Sequence, residues 1–365
     1  MPRVIGIDPG TVSVDFCGLD NGALFLDRSL STADALASPS VIVDLLEEAH
    51  RMRALDLVAG PSGYGLPLTP ARDLTEDDLR LAYLAAEGEP GGIGGLRKLM
   101  RALKQSALPI VLTPGVIHLE SVPAPRKVNR VDMGTADKVC AVALAVHDEA
   151  RRRACAERDV SLILLELGGA FTAGIAVEHG CIVDGLGGTS GPLGVRAAGA
   201  LDGEVAYLAG VISKRQLFTG GAATIAGTPD ATAEEIANPT TARGRLAWAA
   251  CLESAVKTVA VLAAVAPSAS DIVLSGRLAD VAGVSDELAS RVARVRRDLS
   301  VRRLTGFAKV AKTAAQGAAL IADGLAGGRA SALVDALGIR DARGSVLDHL
   351  HFIDPAAART RLGMS

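Results

Sequence analysis

Aromatic residues are scarce in this 365-residue chain, and neither sign of charge is in large excess. Phe, Trp and Tyr together make up 3% of the residues, too few for a platform that stacks single-stranded nucleic acid. The formal net charge is −3, so the sequence offers no basic face for DNA or RNA. We therefore expect no nucleic-acid partner.

Cysteines are also few, and long apolar runs are missing. The five cysteines are odd in number and contain no C-x-x-C pair, which argues against a disulfide framework or a zinc site. The chain enters an apolar strand at once, without the charged lead and apolar core of a signal peptide. The longest apolar stretches, 256–265 and 314–325, are shorter than the roughly 20 residues that span a bilayer. The sequence thus predicts a cytoplasmic location and no membrane partner.

Two segments of the chain repeat one pattern: an apolar strand, an acid–glycine turn, a second strand and a tight turn. The landmarks are Asp8, Gly10 and Asn21-Gly22 in the first segment, and Glu166, Gly168 and His179-Gly180 in the second. Such a hairpin turn exposes backbone N–H groups and a small hydroxyl, which together can hold phosphate. Two of these turns facing each other would grip the phosphates and metal of a nucleotide from both sides.

The length of the chain predicts two domains, because 365 residues exceed the size at which one core stops growing. Strands alternate with helices, which predicts an α/β fold with mainly parallel sheets. We place the N-terminal domain at 1–155, with an inserted cap around 66–95. The second domain is expected at 156–340, followed by a C-terminal extension at 341–365.

The string GIDPGT in the first segment is compatible with several functions. It also occurs in Holliday-junction resolvases and in tRNA-modifying carbamoyltransferases, because an acid beside a glycine turn suits metal-bound phosphoryl chemistry. A resolvase needs further carboxylates in the same domain and a basic surface. The carbamoyltransferases need a closely spaced histidine pair, whereas the six histidines here are scattered. An ordinary hairpin with a capping Asp is the alternative without chemistry, and the repeat favours nucleotide binding over it.

The order of motifs resembles that of the acetate and sugar kinase, heat-shock chaperone and actin superfamily. The five matching segments are a first phosphate hairpin at 6–18, a connecting helix at 134–147, a second phosphate hairpin at 166–177, an adenosine motif at 274–278 and a second connecting helix at 314–322. The resemblance implies two duplicated ribonuclease H-like domains with a nucleotide cleft between them. The chain resembles one family more narrowly, through the segments GIDPGT, GPSGYGLPL, PGVIHLESVP and KVNRVDMGTADK. The proteins of that family are called predicted butyrate kinases, a name that was itself inferred from fold similarity.

That resemblance implies MgATP as the bound nucleotide and suggests how the chain holds it. Asp8 would lie near Mg²⁺, which keeps several waters and takes one or two carboxylates together with phosphate oxygens. The residues expected at the nucleotide are Gly10, Thr11 and Ser13 in the first turn, Gly168, Gly169 and Thr172 in the second, and Ser275, Gly276 and Arg277 at the adenosine. The second turn departs from the usual acid-x-Gly-Gly-Gly-Thr by having Ala170 and Phe171, which leaves one fewer flexible glycine.

Three carboxylates, those of Asp8, Glu166 and Asp137, are the catalytic candidates. Glu166 stands where related sugar kinases carry a catalytic Asp, and there it can accept the proton of an attacking alcohol. An acyl carboxylate would need no such base. A buried structural acid is the alternative for Glu166. Asp137 begins a helix, where a negative charge is favourable to the helix dipole without any catalytic role.

Two polar loops and one basic cluster are the expected substrate contacts. They supply Ser62 and Tyr64 from GPSGYG, Thr189 and Ser190 from GLGGTSGPLG, and Arg126, Asn129 and Lys138 from the basic cluster. Loops at strand ends bind ligands in open α/β sheets, although either loop can also be a plain turn. The basic groups can bind an anionic substrate or the charge that develops on the phosphoryl group, or they can be solvated.

The sequence thus predicts an ATP-dependent phosphotransferase that acts on a small molecule, with a short-chain carboxylate favoured by the family name alone. One alternative is an ATP-binding activator or sensor of the same fold. The relatives that activate dehydratases share cysteines in a pattern that this chain lacks. A second alternative is a binding module that has lost turnover, which Ala170 and Phe171 motivate. The oligomeric state stays open, a homodimer included.

Overall fold

The chain is divided into two compact units. The computed structural model describes residues 1–10, 12–38, 40–86, 88 and 96–364. The first unit comprises residues 1–131, 135–158 and 305–365, and the second comprises 132–134 and 159–304. Residues 305–340, which the sequence analysis assigned to the second domain, thus pack within the first unit. Part of the expected cap, residues 87 and 89–95, lies outside the described residues.

Eleven strands form two sheets in the described residues. They are β1 (Arg3–Pro9), β2 (Ser13–Asp20), β3 (Ala23–Ser31), β4 (Leu57–Pro61), β5 (Thr69–Pro70), β6 (Ile110–Thr113), β7 (Leu162–Leu167), β8 (Thr172–Glu178), β9 (Cys181–Leu186), β10 (Asp271–Ser275) and β11 (Ser300–Arg303). The sheet of the first unit has the order β3-β2-β1-β4-β6-β5, and that of the second has the order β9-β8-β7-β10-β11.

The described residues also contain fourteen α-helices. They are α1 (Thr32–Ala37), α2 (Ser40–Met52), α3 (Glu76–Tyr83), α4 (Leu96–Gln105), α5 (Ala124–Lys127), α6 (Ala136–Arg153), α7 (Gly203–Ala209), α8 (Ala222–Ala226), α9 (Ala233–Ala237), α10 (Ala242–Val265), α11 (Val284–Val292), α12 (Thr313–Leu325), α13 (Ser331–Ala336) and α14 (Pro355–Arg361).

The two sheets repeat one topology. In each, the first three strands are antiparallel neighbours, a further strand (β4 or β10) pairs in parallel with the first, and another (β6 or β11) pairs in parallel with that one. The first sheet has the additional edge strand β5. Each second hairpin closes through two residues of positive φ, 53° and 77° at Asn21-Gly22 and 51° and 76° at His179-Gly180. Positive φ at both positions gives the turn that matches strand twist. The predicted α/β fold of two duplicated ribonuclease H-like domains is therefore confirmed at the level of each sheet.

Small residues bring α12 directly onto the first sheet and onto α6. A side chain on Gly6 of β1 would begin 2.1 Å from the backbone nitrogen of Ala319, and one on Gly317 would begin 1.7 Å from the carbonyl oxygen of Cys140. Only glycine allows backbones to approach this closely. This packing is why the chain beyond residue 304 belongs to the first unit.

The polar passage expected to cap the first domain also contributes to its sheet. Thr69 and Pro70 form β5, which pairs antiparallel with β6 at the edge of the sheet. Proline is tolerated there because an edge strand does not need every N–H for the ladder. Two residues of the expected cap thus join the sheet as its edge strand.

Helix α10 is the longest apolar element of the second unit. Among the described residues it is the one helix long and apolar enough to cross a membrane by length and composition. Half of its most apolar window is nevertheless buried inside the protein, and Trp248, Leu252, Val259 and Leu262 belong to the core of the second unit. A core helix meets the same length and composition test, so the finding is weak evidence for a membrane span.

Candidate functional site

The first acid–glycine turn joins β1 to β2 and carries two carboxylates on one face. Asp8 lies directly opposite Asp15 in the antiparallel pairing, so both side chains leave the sheet on the same side. Asp8 is 7% exposed and Asp15 is 1% exposed. The Ser13 hydroxyl donates to Asp15 Oδ2 at 2.9 Å. Ser13, which was expected to face the nucleotide, is therefore engaged with a neighbouring acid.

The backbone of this turn is closed by hydrogen bonds within the first unit. The N–H of Gly10 donates to the carbonyl oxygens of Ser13 at 2.9 Å and Asp8 at 3.1 Å. Its carbonyl accepts from the Thr32 hydroxyl at 2.7 Å. The amide of Gly10 thus stabilises the turn itself. Thr11, the other expected phosphate contact of this turn, lies outside the described residues.

Lys312, at the start of α12, completes the first turn, and sequence reasoning missed it. Its Nζ lies 2.9 Å from Asp15 Oδ2 and 3.2 Å from the carbonyl oxygen of Ser13. A side chain on Gly10 would begin 2.6 Å from this Nζ, so the glycine makes room for the ammonium group. The available signal was a basic residue immediately before an Ala/Gly-rich helix, but its partners are nearly 300 positions away in the sequence.

The carboxylates of Asp8 and Asp137 both affect the thiol of Cys140 on α6. Burial, and after it the carboxylates of Asp137 and Asp8, raise the pKa of the Cys140 thiol on α6, while a hydrogen bond with Thr113 opposes the rise. Thr113 Oγ1 lies 3.4 Å from Cys140 Sγ. Two of the three predicted catalytic acids therefore influence one thiol, which stays protonated.

Asp137 is held as a carboxylate by its immediate neighbours. Burial acts to raise the pKa of Asp137, but the Lys138 ammonium group and hydrogen bonds from Lys138 and Thr135 bring it below its ordinary value. Lys138 Nζ lies 2.6 Å from Asp137 Oδ2, and the Thr135 hydroxyl donates to Oδ1. The predicted substrate contact Lys138 therefore pairs first with the predicted catalytic Asp137.

The loop GPSGYG packs at the N-terminal end of α6, where Ala136 N–H donates to the carbonyl oxygen of Gly63 at 2.9 Å. Ser62 in this loop is fully buried. Its hydroxyl donates to the carbonyl oxygen of Thr113 at 2.7 Å and accepts from Leu66 N–H at 2.9 Å. Ser62 thus holds the loop together and is closed off from solvent, whereas Tyr64 is half-buried.

The basic cluster that precedes α6 attaches the C-terminal segment. Asn129 has a φ of 55°, and its side-chain oxygen accepts from the N–H groups of His351 at 2.7 Å and Phe352 at 2.8 Å. Lys127 is buried, which lowers its pKa, and it donates to the carbonyl oxygen of Leu119 at 2.9 Å. Arg126 is half-buried in the same segment. Asn129, expected to contact substrate, therefore has a clear structural use.

The second acid–glycine turn joins β7 to β8 in the second unit. Glu166 is half-buried near the end of β7, and Gly168 N–H donates to the carbonyl oxygen of Phe171 at 3.0 Å. A side chain on Gly168 would begin 2.6 Å from that same oxygen and 3.9 Å from Glu166 Oε1. Thr172 is fully buried, and its hydroxyl has no hydrogen-bond partner among the described residues. The turn thus pairs an acid with a glycine that must remain a glycine.

Ala170 and Phe171, where the second turn departs from the usual pattern, anchor this turn. The carbonyl oxygen of Ala170 accepts from the N–H groups of Arg196 at 3.0 Å and Ala197 at 3.1 Å. The ring of Phe171 meets that of Phe218 edge to face, with centroids 4.8 Å apart. These two residues therefore make the second turn less flexible and attach it to the rest of the second unit.

The predicted adenosine motif lies directly beside the second turn. Ser275 is paired with Glu166 in the register of β10 and β7. Gly276 has a φ of 91°, and a side chain on it would begin 2.5 Å from the carbonyl oxygen of Leu167. The Cδ atom of Arg277 lies 3.7 Å from where a side chain on Gly169 would begin. Arg277 is exposed, so it adds an accessible positive charge at this turn.

Thr189 and Ser190 are fastened to Asp132, a residue that sequence reasoning missed. The Asp132 carboxylate accepts from the Thr189 N–H at 2.8 Å and from the Thr189 hydroxyl at 2.7 Å, and the Ser190 hydroxyl donates to the Asp132 carbonyl. Asp132 is 4% exposed. Both hydroxyls, expected at the substrate, are thus used inside the second unit. The available signal was an acid before Met-Gly-Thr at the start of the connecting helix.

The described residues contain no cluster of three His, Cys, Asp or Glu side chains able to hold a metal ion. Mg²⁺ bound to a nucleotide needs none, since phosphate oxygens and water supply most of its ligands. Asp8 suits that role, because its carboxylate stands at the end of a strand beside a turn without a side chain at Gly10. The first turn therefore fits magnesium carried by a nucleotide better than a metal held by protein alone.

Comparisons with known proteins agree with this architecture. The model of a family described as protein of unknown function (DUF1464) matches residues 6–352. No curated protein matches the sequence. A propionate kinase from Francisella tularensis subsp. tularensis SCHU S4 is similar in structure, with a TM-score of 0.61 and 14% identity over 87% of this chain and 99% of the other.

Two acetate kinase structures are also similar to this chain. That of Porphyromonas gingivalis has a TM-score of 0.58 and 13% identity, over 87% of this chain and 98% of the other. That of Entamoeba histolytica has a TM-score of 0.54 and 11% identity, over 80% of this chain and 85% of the other. Likeness at such low identity shows the fold alone, and the fold is the one that the sequence predicts.

Proposed function

We propose that this chain, which belongs to the DUF1464 family of proteins of unknown function, is an ATP-dependent phosphotransferase acting on a small molecule. Its fold is that of the acetate and sugar kinase, heat-shock chaperone and actin superfamily. One observation carries the proposal: apart from the edge strand β5, both sheets have the same strand order, and each places an acid–glycine turn after its first strand. A turn of this kind is suited to phosphate and metal.

In this proposal each turn is built to contact the phosphates of MgATP. Asp8 serves the magnesium ion through water and Ser13 belongs to the first turn, while Thr11 stays a contact predicted from the sequence. The second turn offers Gly168, Gly169 and Thr172, and the adenosine rests against Ser275, Gly276 and Arg277. The absence of side chains at Gly168 and Gly276 supports these roles, since both positions admit close approach of the backbone.

Phosphoryl transfer asks the protein mainly for positioning and for stabilisation of charge. Magnesium, when bound, neutralises negative charge on the phosphate oxygens. Arg277 adds a positive charge beside the second turn. Glu166 and Asp137 are the candidates to take a proton from a hydroxyl acceptor. A carboxylate acceptor would need neither base.

A short-chain carboxylate is the first acceptor to test. The similar structures named propionate kinase and acetate kinase support this choice. Tyr64, Arg126 and Lys138 are the proposed substrate contacts. Ser62, Asn129, Thr189 and Ser190 form hydrogen bonds within their own units.

An ATP-binding sensor of the same fold is the second candidate. The observation that favours it is the internal use of these four predicted substrate contacts, which leaves fewer groups for an acceptor. In a sensor, nucleotide would bind and act on a partner protein without transfer to a small molecule.

A two-stage experiment separates these functions. The melting temperature of the full chain is measured with Mg²⁺, MgADP and MgATP, and ADP release is then followed with acetate, propionate and butyrate, each with and without hydroxylamine to trap acyl phosphate. Acceptor-dependent ADP together with trapped acyl phosphate supports the kinase. Stabilisation by MgATP without acceptor-dependent ADP supports the sensor. The absence of any response to nucleotide would exclude both.

A further inference from the structure

We infer that Lys312 is a phosphate-binding residue of the first turn, contacting the terminal phosphates of the nucleotide. This inference rests on the proposed function, because it assumes that a nucleoside triphosphate is bound there. Lys312 lies nearly 300 positions from the turn in the sequence and outside all the segments that predict nucleotide binding.

The ammonium group of Lys312 has bonding capacity to spare. A lysine ammonium carries three donors. Two point to Asp15 Oδ2 at 2.9 Å and to the Ser13 carbonyl oxygen at 3.2 Å. The third has no partner among the described residues, and the side chain is 31% exposed. A phosphate oxygen arriving at the turn can therefore take this third donor.

The charge balance of the turn requires a cation at this point. Asp8 and Asp15 leave the sheet on the same side, so two carboxylates would repel a triphosphate. Lys312 neutralises Asp15, which is 1% exposed. The proposed function assigns Asp8 to the magnesium ion. In this inference the two acids have different roles: Asp15 orients Lys312, and Asp8 interacts with the magnesium ion.

Backbone hydrogen bonds set the position of Lys312. The Asp27 carboxylate accepts from the N–H groups of the three preceding residues, 309, 310 and 311, at 2.7 to 3.1 Å. Gln316 accepts from residues 307 and 308 and donates to the carbonyl oxygen of residue 311 at 2.7 Å. The lysine therefore enters the turn from a fixed segment, so little entropy is lost when it binds phosphate.

The competing explanation is that Lys312 forms an ion pair with a structural role only. Nucleotides with different numbers of phosphates distinguish the two explanations. Dissociation constants for AMP, MgADP and MgATP are measured by calorimetry on the native protein and on Lys312→Gln. We expect roughly 10- to 100-fold weaker MgATP binding, because a charged hydrogen bond is lost, with AMP affinity nearly unchanged. Lys309→Gln, an exposed lysine of the same segment, is the matched control and should bind all three as the native protein does. Lys312→Arg should recover most of the loss.

Three outcomes would decide the matter. Equal affinity of native protein and Lys312→Gln for all three nucleotides would overturn the role of Lys312 and leave the proposed function standing. A native protein that binds no nucleotide would overturn both. If Lys312→Gln fails to fold, Gly10→Ala displaces the flexible end of Lys312 while keeping its charge, and MgATP affinity that does not fall in this variant would equally count against the inference.

Discussion

A side chain on Gly317 of α12 would begin only 1.7 Å from the carbonyl oxygen of Cys140 on α6. The two helices therefore meet through bare backbone, and α12 is held against the first sheet by the same kind of contact at Gly6. Such close approach leaves no room to relax without moving a whole helix.

Gly317→Ala is expected to destabilise the protein by about 1 to 3 kcal/mol, because overpacking a tight contact forces the backbone apart. Urea unfolding of the full chain measures the loss. Gly203→Ala, at a helix start with open space around it, is the matched control and should leave the free energy of unfolding unchanged or slightly raised. Equal stability of Gly317→Ala and native protein would show that the two helices are not in close contact.

Under the proposed function, Asp8→Asn is expected to lower turnover by about 100-fold or more while changing the free energy of unfolding little, since the proposal assigns the carboxylate to a metal and not to a core. Initial rates of ADP formation and urea unfolding measure the two effects. Asp44→Asn, an exposed acid on α2, is the control. Unchanged turnover in Asp8→Asn would remove Asp8 from the mechanism.

Asn129→Ala is expected to free the backbone of residues 351 and 352, whose N–H groups both donate to the Asn129 side chain. Hydrogen exchange at those two amides should speed up, and stability should fall by about 1 to 2 kcal/mol. Asn129→Gly keeps the positive φ easy to adopt, and Asn129→Asp keeps an acceptor. If the cause is the hydrogen bonds, exchange is fast in the Gly variant and slow in the Asp variant.

The burial of His118 leads us to expect that the free energy of unfolding falls at acidic pH. Burial lowers the pKa of His118, whose Nδ1 lies 3.1 Å from the Gly344 carbonyl oxygen and whose Nε2 has no hydrogen-bond partner among the described residues. The unfolded chain therefore binds this proton more readily, so the contribution of His118 is full above the unfolded pKa of about 6.5 and is lost as pH falls towards the folded value.

His118→Asn, whose amide nitrogen replaces Nδ1, tests that assignment. Stability measured between pH 7.5 and about 5 should fall less steeply in this variant than in native protein, because one proton uptake is removed. His179→Asn is the control, since that ring is largely exposed. An identical pH dependence in all three proteins would contradict the role of His118.

Much of the fold could be predicted because its signals are local. The acid–glycine turns, the Asn21-Gly22 and His179-Gly180 closures and the apolar strands beside them each depend on a few adjacent residues. The strand β11 was missed, because it is four residues long and two of its residues are exposed. Its parallel pairing with β10 comes from a segment nearly thirty positions away, which no local pattern indicates.

The candidate site was harder to predict than the fold, because the uses of a polar side chain depend on what packs against it. Ser62 and Thr189 have the residue type and loop setting of ligand contacts. The Ser62 hydroxyl is nevertheless hydrogen-bonded to the backbone of Thr113 and Leu66, and the Thr189 hydroxyl to the Asp132 carboxylate. The role of Lys312 was hidden for the same reason, because its partners Asp15 and Ser13 lie nearly 300 positions away in the sequence.

The amino-acid sequence by itself determined the repeated hairpins, the positions of the two acid–glycine turns and the α/β class, since backbone preference and strand periodicity act between near neighbours. Tertiary structure decided which polar groups remain available at those turns and which cation lies beside Asp15. The reason is that hydrogen bonds and ion pairs form between whatever groups packing brings within about 3 Å, however far apart they stand along the chain.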